Sequence, residues 1–418
     1  YKEFNWSSYQ YKDFDIFYYR GGKLLANYIA TTSHRELQDI QEKYFFNLEK
    51  RIQFIIYNTF SDFKQSNIGY DQNDDYNIGG RTQIVGTKVL LYFDGDYNHL
   101  NKQIRAGITN ILLQEFMYGG NIADAFTNSA LLNLPVWFIE GLVSFVSEPW
   151  DLETENIVKD KISTGDFKSF NHLDKEEAVI AGYSIWHYIQ NTYGDRAIAD
   201  VLYMIRLNRN IENSFRFVLG KSVNDINQEW LEYYFQSDVT GIYPSSKTLL
   251  INIKEDEKIT KIAISPKGRK IAFVTNEKGK CRIWLYDMRN KKQKRVITVG
   301  HKLDRITDIT VPVISFNPNN KILAFITEKR GGVQMNYYNI NNQTINTFEL
   351  QNLQKVMSME YDKKGKVLVL SGIRNNTSDI FTIEVVGNKL TNITNDKFLD
   401  LTPVFSSDNN YIIFSSNR

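Results

Sequence analysis

A short pattern, in which an apolar residue leads into a tight polar turn, occurs four times in the second half of the chain. The copies are Ile264-Ser-Pro-Lys-Gly268, Phe316-Asn-Pro-Asn-Asn320, Tyr361-Asp-Lys-Lys-Gly365 and Phe405-Ser-Ser-Asp-Asn409. They start 44 to 52 residues apart, and an apolar stretch follows each turn. Because the side chains of a strand alternate between its two faces, each copy predicts two strands joined by a turn. This half of the chain is therefore predicted to be all-β and built from repeated units.

A repeat of about 40–50 residues with a turn between two strands is typical of the blades of a β-propeller. The segment Leu401 to Arg418 begins Leu-Thr-Pro-Val-Phe-Ser and ends Ser-Asn-Arg, and it resembles the repeat of the TolB-like propeller family. We expect four blade starts within residues 250–418, the last of them incomplete. A closed propeller needs further blades, so we expect the polypeptide to continue beyond Arg418. A β-sandwich with accidental similarity is the alternative.

The first half of the chain contains two helical patterns with broad apolar faces, at Gln103–Gln114 and Leu134–Phe145. The second pattern includes Trp137-Phe-Ile-Glu-Gly141 and resembles the W-x-x-E-G segment of the gluzincin, or peptidase-MA-like, metallopeptidases. In that family the partner helix reads R-H-E-x-x-H, whereas the same place here reads Arg105-Ala-Gly-Ile-Thr-Asn110. The resemblance extends as far as the helix that ends near Phe235. It implies an α+β domain with a mixed sheet and helices.

The chemistry of such a metallopeptidase needs particular residues at this place. Two histidines one helical turn apart hold the zinc, and a glutamate beside the first histidine activates the metal-bound water. The resemblance places these functions at Ala106, Asn110 and Gly107, and the third zinc ligand at Glu140. Alanine and glycine have no ligand atom, and an amide is a poor zinc ligand. We therefore interpret the four positions as a vestigial metal site and predict no catalytic residue, no metal and no other cofactor.

The chain offers no evident replacement for the missing ligands. Its histidines are His34, His99, His172, His187 and His301, and no two of them have helical ligand spacing. Glu115 lies eight positions after Gly107, which places it about 12 Å along the helix and about 80° around it. We expect His187 to be a core or interface histidine, because no metal is present to make it a useful transition-state donor.

The rest of the first half alternates predicted strands and helices. The strands are Phe14–Tyr19, Arg51–Tyr57 and Thr87–Phe93, and the helices are Leu24–Asn47, Ala178–Tyr193, Asp195–Leu207, Ile211–Leu219 and Val223–Phe235. Residues Ser66–Gly80 are predicted to form a polar loop, and the stretch after Glu148-Pro-Trp-Asp151 a polar connection. The resemblance implies that Val89–Phe93 is the edge strand before the zinc helix. We predict a first domain at 1–240, a linker at 241–249 and a second domain at 250–418.

Charge and composition exclude some classes of function. The net charge of +2 gives no reason to expect nucleic-acid binding. The basic stretch Arg289–Arg295 could meet phosphate head groups or an acidic partner, but we interpret it as a solvated hairpin tip. Cys281 is the single cysteine, so no intrachain disulfide is possible, and its alternating apolar surroundings predict a buried thiol. There is no apolar run of about 18 residues, so no transmembrane helix is predicted.

Three hypotheses for function follow. The first is a non-catalytic pseudopeptidase joined to a propeller, which acts as a protein-binding scaffold subunit. The resemblance implies a bacterial cell-envelope location, in the periplasm, at the outer membrane or at the cell surface, with an envelope protein complex as partner. The second hypothesis is an active zinc metallopeptidase with an unconventional site. The third, a glycan or small-ligand receptor, depends on Tyr337 and Tyr338, which alternate along a predicted strand and are more often packing residues.

Overall fold

A computed structural model of the chain describes residues 4–44, 47–48, 50–64, 83–85, 87–118, 134–173, 175–235, 251, 253, 257–277, 279–302, 310–329 and 332–418. The chain divides into two compact units. The first takes its described residues from ranges 1–57, 67–92 and 98–243, and the second from ranges 58–66, 93–97 and 244–418. The predicted linker at 241–249 and the predicted loop Ser66–Gly80 lie outside the described residues. The proposed domain boundaries therefore stay predictions.

The first unit contains a five-stranded mixed sheet. Its strands in chain order are β1 (Trp6–Tyr11), β2 (Phe14–Tyr19), β3 (Ile52–Tyr57), β4 (Gln83–Val85) and β5 (Lys88–Tyr92). Their order in space is β1-β2-β3-β5-β4, with parallel pairing of β2 to β3 and of β3 to β5. The outer pairs are antiparallel. The three strands predicted in this region are confirmed, and all three lie in the interior of the sheet.

Both edge strands of this sheet were absent from the sequence prediction, and the prediction that Val89–Phe93 forms the edge was wrong. Strand β4 pairs with β5 on its outer side, with Ile84 opposite Val89. Strand β1 has five exposed residues and one half-buried residue, so it lacks the apolar alternation that predicts a strand. An edge strand forms because its neighbour offers a row of backbone hydrogen bonds, which a local pattern does not record.

The helices of the described residues are α1 (Lys23–Tyr44), α2 (Phe60–Lys64), α3 (Tyr97–Tyr118), α4 (Val136–Ser147), α5 (Leu152–Ser163), α6 (Lys175–Tyr193), α7 (Asp195–Asn208), α8 (Ile211–Leu219) and α9 (Val223–Phe235). A short 3₁₀ helix covers Phe170–His172. Helix α3 begins six residues before the predicted start. Within the described part of the chain, no helix is long and apolar enough to cross a membrane.

Helix α5 occupies the stretch that was predicted to be a polar connection, so that prediction was wrong. Only Val158 and Ile162 of this helix are buried, which explains the weak apolar period in the sequence. The start of the helix is marked instead by its cap. The Asp151 side chain accepts a hydrogen bond from the Thr154 amide at 2.7 Å, which satisfies one free N–H of the first turn.

The second unit is built from consecutive antiparallel sheets. The strands are β6 (Lys258–Ile264), β7 (Lys270–Glu277), β8 (Lys280–Asp287), β9 (Lys292–Val299), β10 (Val313–Phe316), β11 (Ile322–Lys329), β12 (Gly332–Asn339), β13 (Ile345–Glu349), β14 (Lys355–Tyr361), β15 (Val367–Arg374), β16 (Thr377–Glu384), β17 (Leu390–Asn392), β18 (Asp400–Phe405) and β19 (Ile412–Ser416). Each of the first three sheets contains four strands in chain order, and the fourth sheet contains β18 and β19. The repeats found in the sequence are the turns between the first and second strands of these four sheets.

Successive sheets pack face to face, and the second sheet contributes to two cores. In β11, Leu323 and Phe325 pack with side chains of the first sheet, whereas Ala324 and Ile326 pack with side chains of the third sheet. Alternate residues of one strand thus enter opposite cores, as the pleat requires. This stack of sheets is compatible with consecutive blades of a TolB-like β-propeller. Helices and a mixed sheet in the first unit complete the α+β architecture.

Two smaller predictions for the second unit are confirmed. The Cys281 side chain is buried between the first and second sheets, in the core that also contains Ile283 and Phe316. The basic stretch from Arg289 to Arg295 is exposed and forms the turn and the first residues of β9. Both results follow from local periodicity, which distinguishes a strand with an apolar face from a polar hairpin tip.

Candidate functional site

Helix α3, which contains three of the four predicted vestigial positions, is fixed to the sheet by a buried glutamine. The Gln103 Nε2 group donates to the carbonyl oxygen of Tyr92 at 3.0 Å, and its Oε1 atom accepts from the Tyr92 amide at 3.1 Å. The side chain therefore makes the two bonds that a neighbouring strand would make. Because Gln103 is fully buried, this pairing sets the rotation of α3 about its axis.

An arginine fixes the same helix to two others. Arg105 donates to the carbonyl oxygen of Val146 at 2.5 Å, pairs with Asp39 at 2.5 Å and also pairs with Glu36. Burial would lower the pKa of Arg105, but the hydrogen bonds that Arg105 donates to Asp39 and Glu36 outweigh burial and leave the pKa raised. The guanidinium thus stays charged and joins α1, α3 and the end of α4.

The two positions that lack ligand atoms are filled by packing. Ala106 is fully buried. A Cβ atom on Gly107 would lie 2.5 Å from Cγ1 of Val89 and 2.9 Å from its Cγ2, so β5 occupies the space that a side chain would need. A glutamate at Gly107 would require the sheet or the helix to move. This position is therefore part of the contact between helix and sheet.

Asn110 and Glu140 lie next to each other in the structure. The Asn110 Nδ2 group donates to Glu140 Oε1 at 3.4 Å, and the Asn110 Oδ1 atom accepts from Gln114 Nε2 at 2.8 Å. Both Asn110 and Glu140 are buried. The Asn110 amide thus donates to the carboxylate of Glu140 and accepts from Gln114. The result is a short chain of hydrogen bonds between α3 and α4, in which each polar group has a partner.

The remaining residues of the W-x-x-E-G segment have packing roles. A Cβ atom on Gly141 would lie 2.5 Å from the backbone of Gly182, and one on Gly182 would lie 1.9 Å from the carbonyl oxygen of Trp137. Glycine at both positions lets α4 and α6 touch backbone to backbone. The Trp186 indole then donates to the carbonyl oxygen of Phe138 at 3.1 Å, which fixes the crossing.

His187 lies in an aromatic cluster, in the C-terminal half of α6. Its ring stacks on Trp150 with 4.1 Å between centroids, and Nδ1 lies 3.0 Å from the Tyr234 hydroxyl. Its Nε2 atom lies 3.0 Å from Asn191 Nδ2. Burial lowers the pKa of His187, although Glu155 opposes this. These contacts agree with the expected role at a helix interface. Glu115, the other residue considered as a base, is half-buried two turns beyond Gly107 on α3.

The two tyrosines considered for ligand binding are packing residues. Tyr338 is buried in the core between the first and second sheets. Tyr337 packs against the core between the second and third sheets, with 5.7 Å between its ring centroid and that of Phe348. Neither ring is presented to solvent as a stacking surface. These two tyrosines therefore give no support to a receptor for glycans or small ligands.

One group of potential metal ligands was missed by the sequence analysis. Asp379, Asp396 and Asp400 each place a carboxylate oxygen within 4.8 Å of the others. Among the described residues, no other three histidine, cysteine or acidic side chains come together in this way. They come from β16, from the segment after β17 and from the start of β18. Their spacing in the chain matches no metal motif, so no sequence signal could have found them.

Comparisons with known proteins give limited similarity. No protein-family model matches the chain, and no curated protein matches it. One similar solved structure is TolB from Acinetobacter baumannii, with 17% identity and a TM-score of 0.32 over 38% of this chain and 37% of that chain. Another is a protein described as TolB from Agrobacterium tumefaciens, with 16% identity and a TM-score of 0.31 over 37% of this chain and 53% of that chain. Hydrazine synthase from Kuenenia stuttgartiensis is also similar, with 14% identity and a TM-score of 0.30 over 37% of this chain and 48% of that chain. The chain thus matches between about a third and a half of the length of these structures, and similarity at this level assigns no activity.

Proposed function

We propose that the chain is a protein-binding scaffold, made of a non-catalytic gluzincin-like domain joined to a TolB-like propeller, in the bacterial cell envelope. The observation that carries this proposal is the packing at Gly107, where Val89 fills the space of a catalytic glutamate. In this proposal the helix pair is kept, but the place of the catalytic residues has become part of the packed core. Such a fold is maintained for its shape. The envelope location, in the periplasm or at the outer membrane, comes from the family resemblance and belongs to the same proposal.

The polar groups at the centre of the helix pair support a non-catalytic role. Ala106 and Gly107 offer no ligand atom, and Asn110 uses its amide on Glu140 and Gln114. A catalytic zinc needs three protein ligands and an open position for water. Glu140 could supply one ligand, so a working metallopeptidase would have to recruit two others from outside the helix pair.

An exposed apolar surface supports a protein partner. Tyr203 and Leu207 lie one turn apart on α7, and Phe217 lies on the neighbouring α8; their exposed fractions are 55%, 60% and 74%. Large apolar side chains at this exposure on adjacent helices are typical of protein-binding surfaces. Because such contacts depend on apolar burial, binding should weaken little when salt is raised from about 0.15 to 0.5 M.

The first test measures metal content and peptidase activity of the purified chain. We expect far less than one zinc per chain by elemental analysis and no chelator-sensitive cleavage of casein or of a peptide library. Glu140→Gln should change neither result, and Glu153→Gln, at an exposed position of α5, is the matched control. About one zinc per chain, with cleavage that Glu140→Gln abolishes and Glu153→Gln leaves intact, would establish the metallopeptidase alternative.

The second test concerns the partner. The tagged chain is recovered from detergent-solubilised envelope, and co-purifying proteins are quantified by mass spectrometry. Leu207→Glu with Phe217→Glu should lower recovery of a stoichiometric partner at least about tenfold, since buried apolar anchors dominate interface energy. Leu152→Glu, at a residue that is 77% exposed on α5, is the matched control. Failure of the wild-type chain to retain any stoichiometric partner contradicts the scaffold role.

A further inference from the structure

The second unit contains a buried acidic cluster where the third sheet meets the fourth. It consists of Asp379 on β16, Asp396 in the following segment and Asp400 at the start of β18. One carboxylate oxygen of each lies within 4.8 Å of the others. Asp379 and Asp400 are 2% and 0% exposed, and Asp396 is half-buried. Carboxylates this close repel one another, and a cation among them relieves that repulsion.

Arg418 supplies part of the positive charge. One of its terminal nitrogens lies 2.8 Å from Asp396 and 3.0 Å from Asp400 Oδ2. Three carboxylates and one guanidinium leave a formal charge of −2 at a place largely removed from water. Burial of uncompensated charge is costly, so this remainder calls for a further cation of charge +2.

Two buried oxygen atoms in the same place have no hydrogen-bond partner within the described residues. They are Oδ1 of Asp400 and Oδ1 of Asn392. Asp400 is fully buried and its carboxylate is directed into the cluster, so this oxygen has lost its water without gaining a donor. Buried acceptors without donors are rare in proteins, and a bound cation is one of the few things that can satisfy them.

Asn392 is placed to add a neutral ligand. Its Nδ2 group donates to Asp379 Oδ2 at 3.1 Å, while Thr394 and the Asp396 amide donate to Asp379 Oδ1 at 3.2 and 3.1 Å. Its oxygen would reach a cation beside Asp379 after the amide turns by about 180°, a turn that gives up the donation from Nδ2 to Asp379 Oδ2.

We propose that Asp379, Asp396 and Asp400, with Asn392, bind one calcium ion. Carboxylate and amide oxygens are the ligands that calcium takes, and calcium accepts an irregular set of six to eight of them, including water. Magnesium requires a near-ideal octahedron, and zinc prefers nitrogen and sulfur ligands, neither of which this cluster offers. The ion would join β16 to β18 and so hold two successive sheets together. This proposal is independent of the proposed scaffold function.

The experiment uses the full chain after removal of metal ions with a chelator. Isothermal titration calorimetry should give one calcium per chain, and magnesium at the same concentration should give little heat. Calcium at about a hundred times its Kd should raise the Tm of the second unit by about 5–10 °C. Three carboxylates, one of them half-buried, suggest a Kd of about 10⁻⁴ M, so calcium is tested up to about 10 mM, which is about a hundred times that Kd.

Variants separate binding from simple structural damage. Asp400→Asn should abolish calcium binding and yet raise the Tm of the calcium-free chain, because it removes a repelling charge. Asp396→Asn, at a half-buried position, should weaken binding at least about tenfold if the first variant does not fold. Arg418→Met should tighten calcium binding several-fold, since it removes a competing cation. Glu384→Gln, at an exposed position at the end of β16, is the matched control.

Three outcomes would overturn the proposal. One is that the wild-type chain binds no calcium and shows no calcium-dependent Tm shift at about 10 mM calcium. Another is a calcium response that Asp400→Asn and Asp396→Asn both leave unchanged. The third is loss of calcium binding in Arg418→Met, which would mean that the guanidinium organises the cluster and does not compete for it.

Discussion

At the scale of single residues, Gly107 and Glu277 show how one side chain decides a local outcome. Gly107 is required because two methyl groups of Val89 occupy the space beside it. Glu277 belongs to a buried ionic network in which Arg282 donates to it at 2.7 Å and also pairs with Glu257. Lys302 completes the pairing from an exposed position. Both features concern packing or charge that no motif describes.

Gly107→Ala is expected to destabilise the first unit by about 1–3 kcal/mol, because the added methyl group meets Val89. The measurement is urea unfolding followed by circular dichroism. The control is a double-mutant cycle, in which Val89→Ala opens space for the new methyl group. The penalty of Gly107→Ala should therefore shrink in the Val89→Ala background. An equal penalty in both backgrounds would contradict the contact between this helix and this strand.

The stability of the second unit should depend on pH through Glu277. Hydrogen bonds from Lys302 and then Arg282 lower the pKa of Glu277 from 4.5 to about 2 in the folded chain. A lowered pKa stabilises the fold above pH 4.5, and the contribution is lost as pH falls from 4.5 towards 2. The urea midpoint of Glu277→Gln should thus lie below that of the wild type at pH 6, with a gap that closes towards pH 2. Glu349→Gln, at an exposed position of β13, should show no such closing gap.

At the scale of elements, the repeated turns do more than reverse the chain. Their last residues, Gly268, Asn320, Gly365 and Asn409, have φ angles of 63°, 61°, 67° and 66°. Only glycine and asparagine adopt this conformation readily, which is why the pattern ends in one or the other. The asparagines also reach the preceding turn: Asn320 Oδ1 accepts from the Lys267 amide, and Asn409 Oδ1 from the Lys363 amide, each at 3.0 Å. The turns thus connect successive sheets.

Asn320→Gly and Asn320→Ala should separate these two roles. Glycine keeps the backbone conformation but loses the bond to Lys267, for an expected cost of about 0.5–1.5 kcal/mol. Alanine also incurs the left-handed backbone cost, so its penalty should be larger by about 1–2 kcal/mol. Thermal unfolding measures both. Asn388→Gly, in an exposed turn at φ 54°, is the control and should be close to neutral. An equal penalty for the two Asn320 variants would contradict the assigned backbone role.

At the scale of the whole molecule, the chain consists of two units that each have their own buried residues. In the first unit the largest buried side chains include Trp137, Trp186 and Trp230, and in the second they include Phe273. Each unit buries enough apolar surface to unfold as a cooperative body. The domain prediction from the sequence also divides the chain in two, but it places residues 58–66 and 93–97 in the first domain, and its boundaries fall outside the described residues.

Calorimetry of the full chain is expected to give two unfolding transitions. Gly182→Ala should lower only the transition of the first unit, since the new methyl group would meet the carbonyl oxygen of Trp137. Phe325→Ala should lower only the other, by a loss of about 3–5 kcal/mol of core packing. If instead both variants shift one common transition by similar amounts, the two units do not unfold separately and the domain interpretation is wrong.

The sequence by itself determined what is encoded locally. It specified the four turns through their glycines and asparagines, the interior strands through apolar alternation, the helices through their period, and the absence of ligand atoms at Ala106 and Gly107. Assignment to a gluzincin-like domain stays a prediction. Only the tertiary structure decided which distant residues meet: Val89 beside Gly107, and Asp379 beside Asp400. The edge strand β1 and the polar helix α5 also depended on it. The physical reason is that backbone pairing at an edge and contacts between distant side chains leave no periodic trace along the chain.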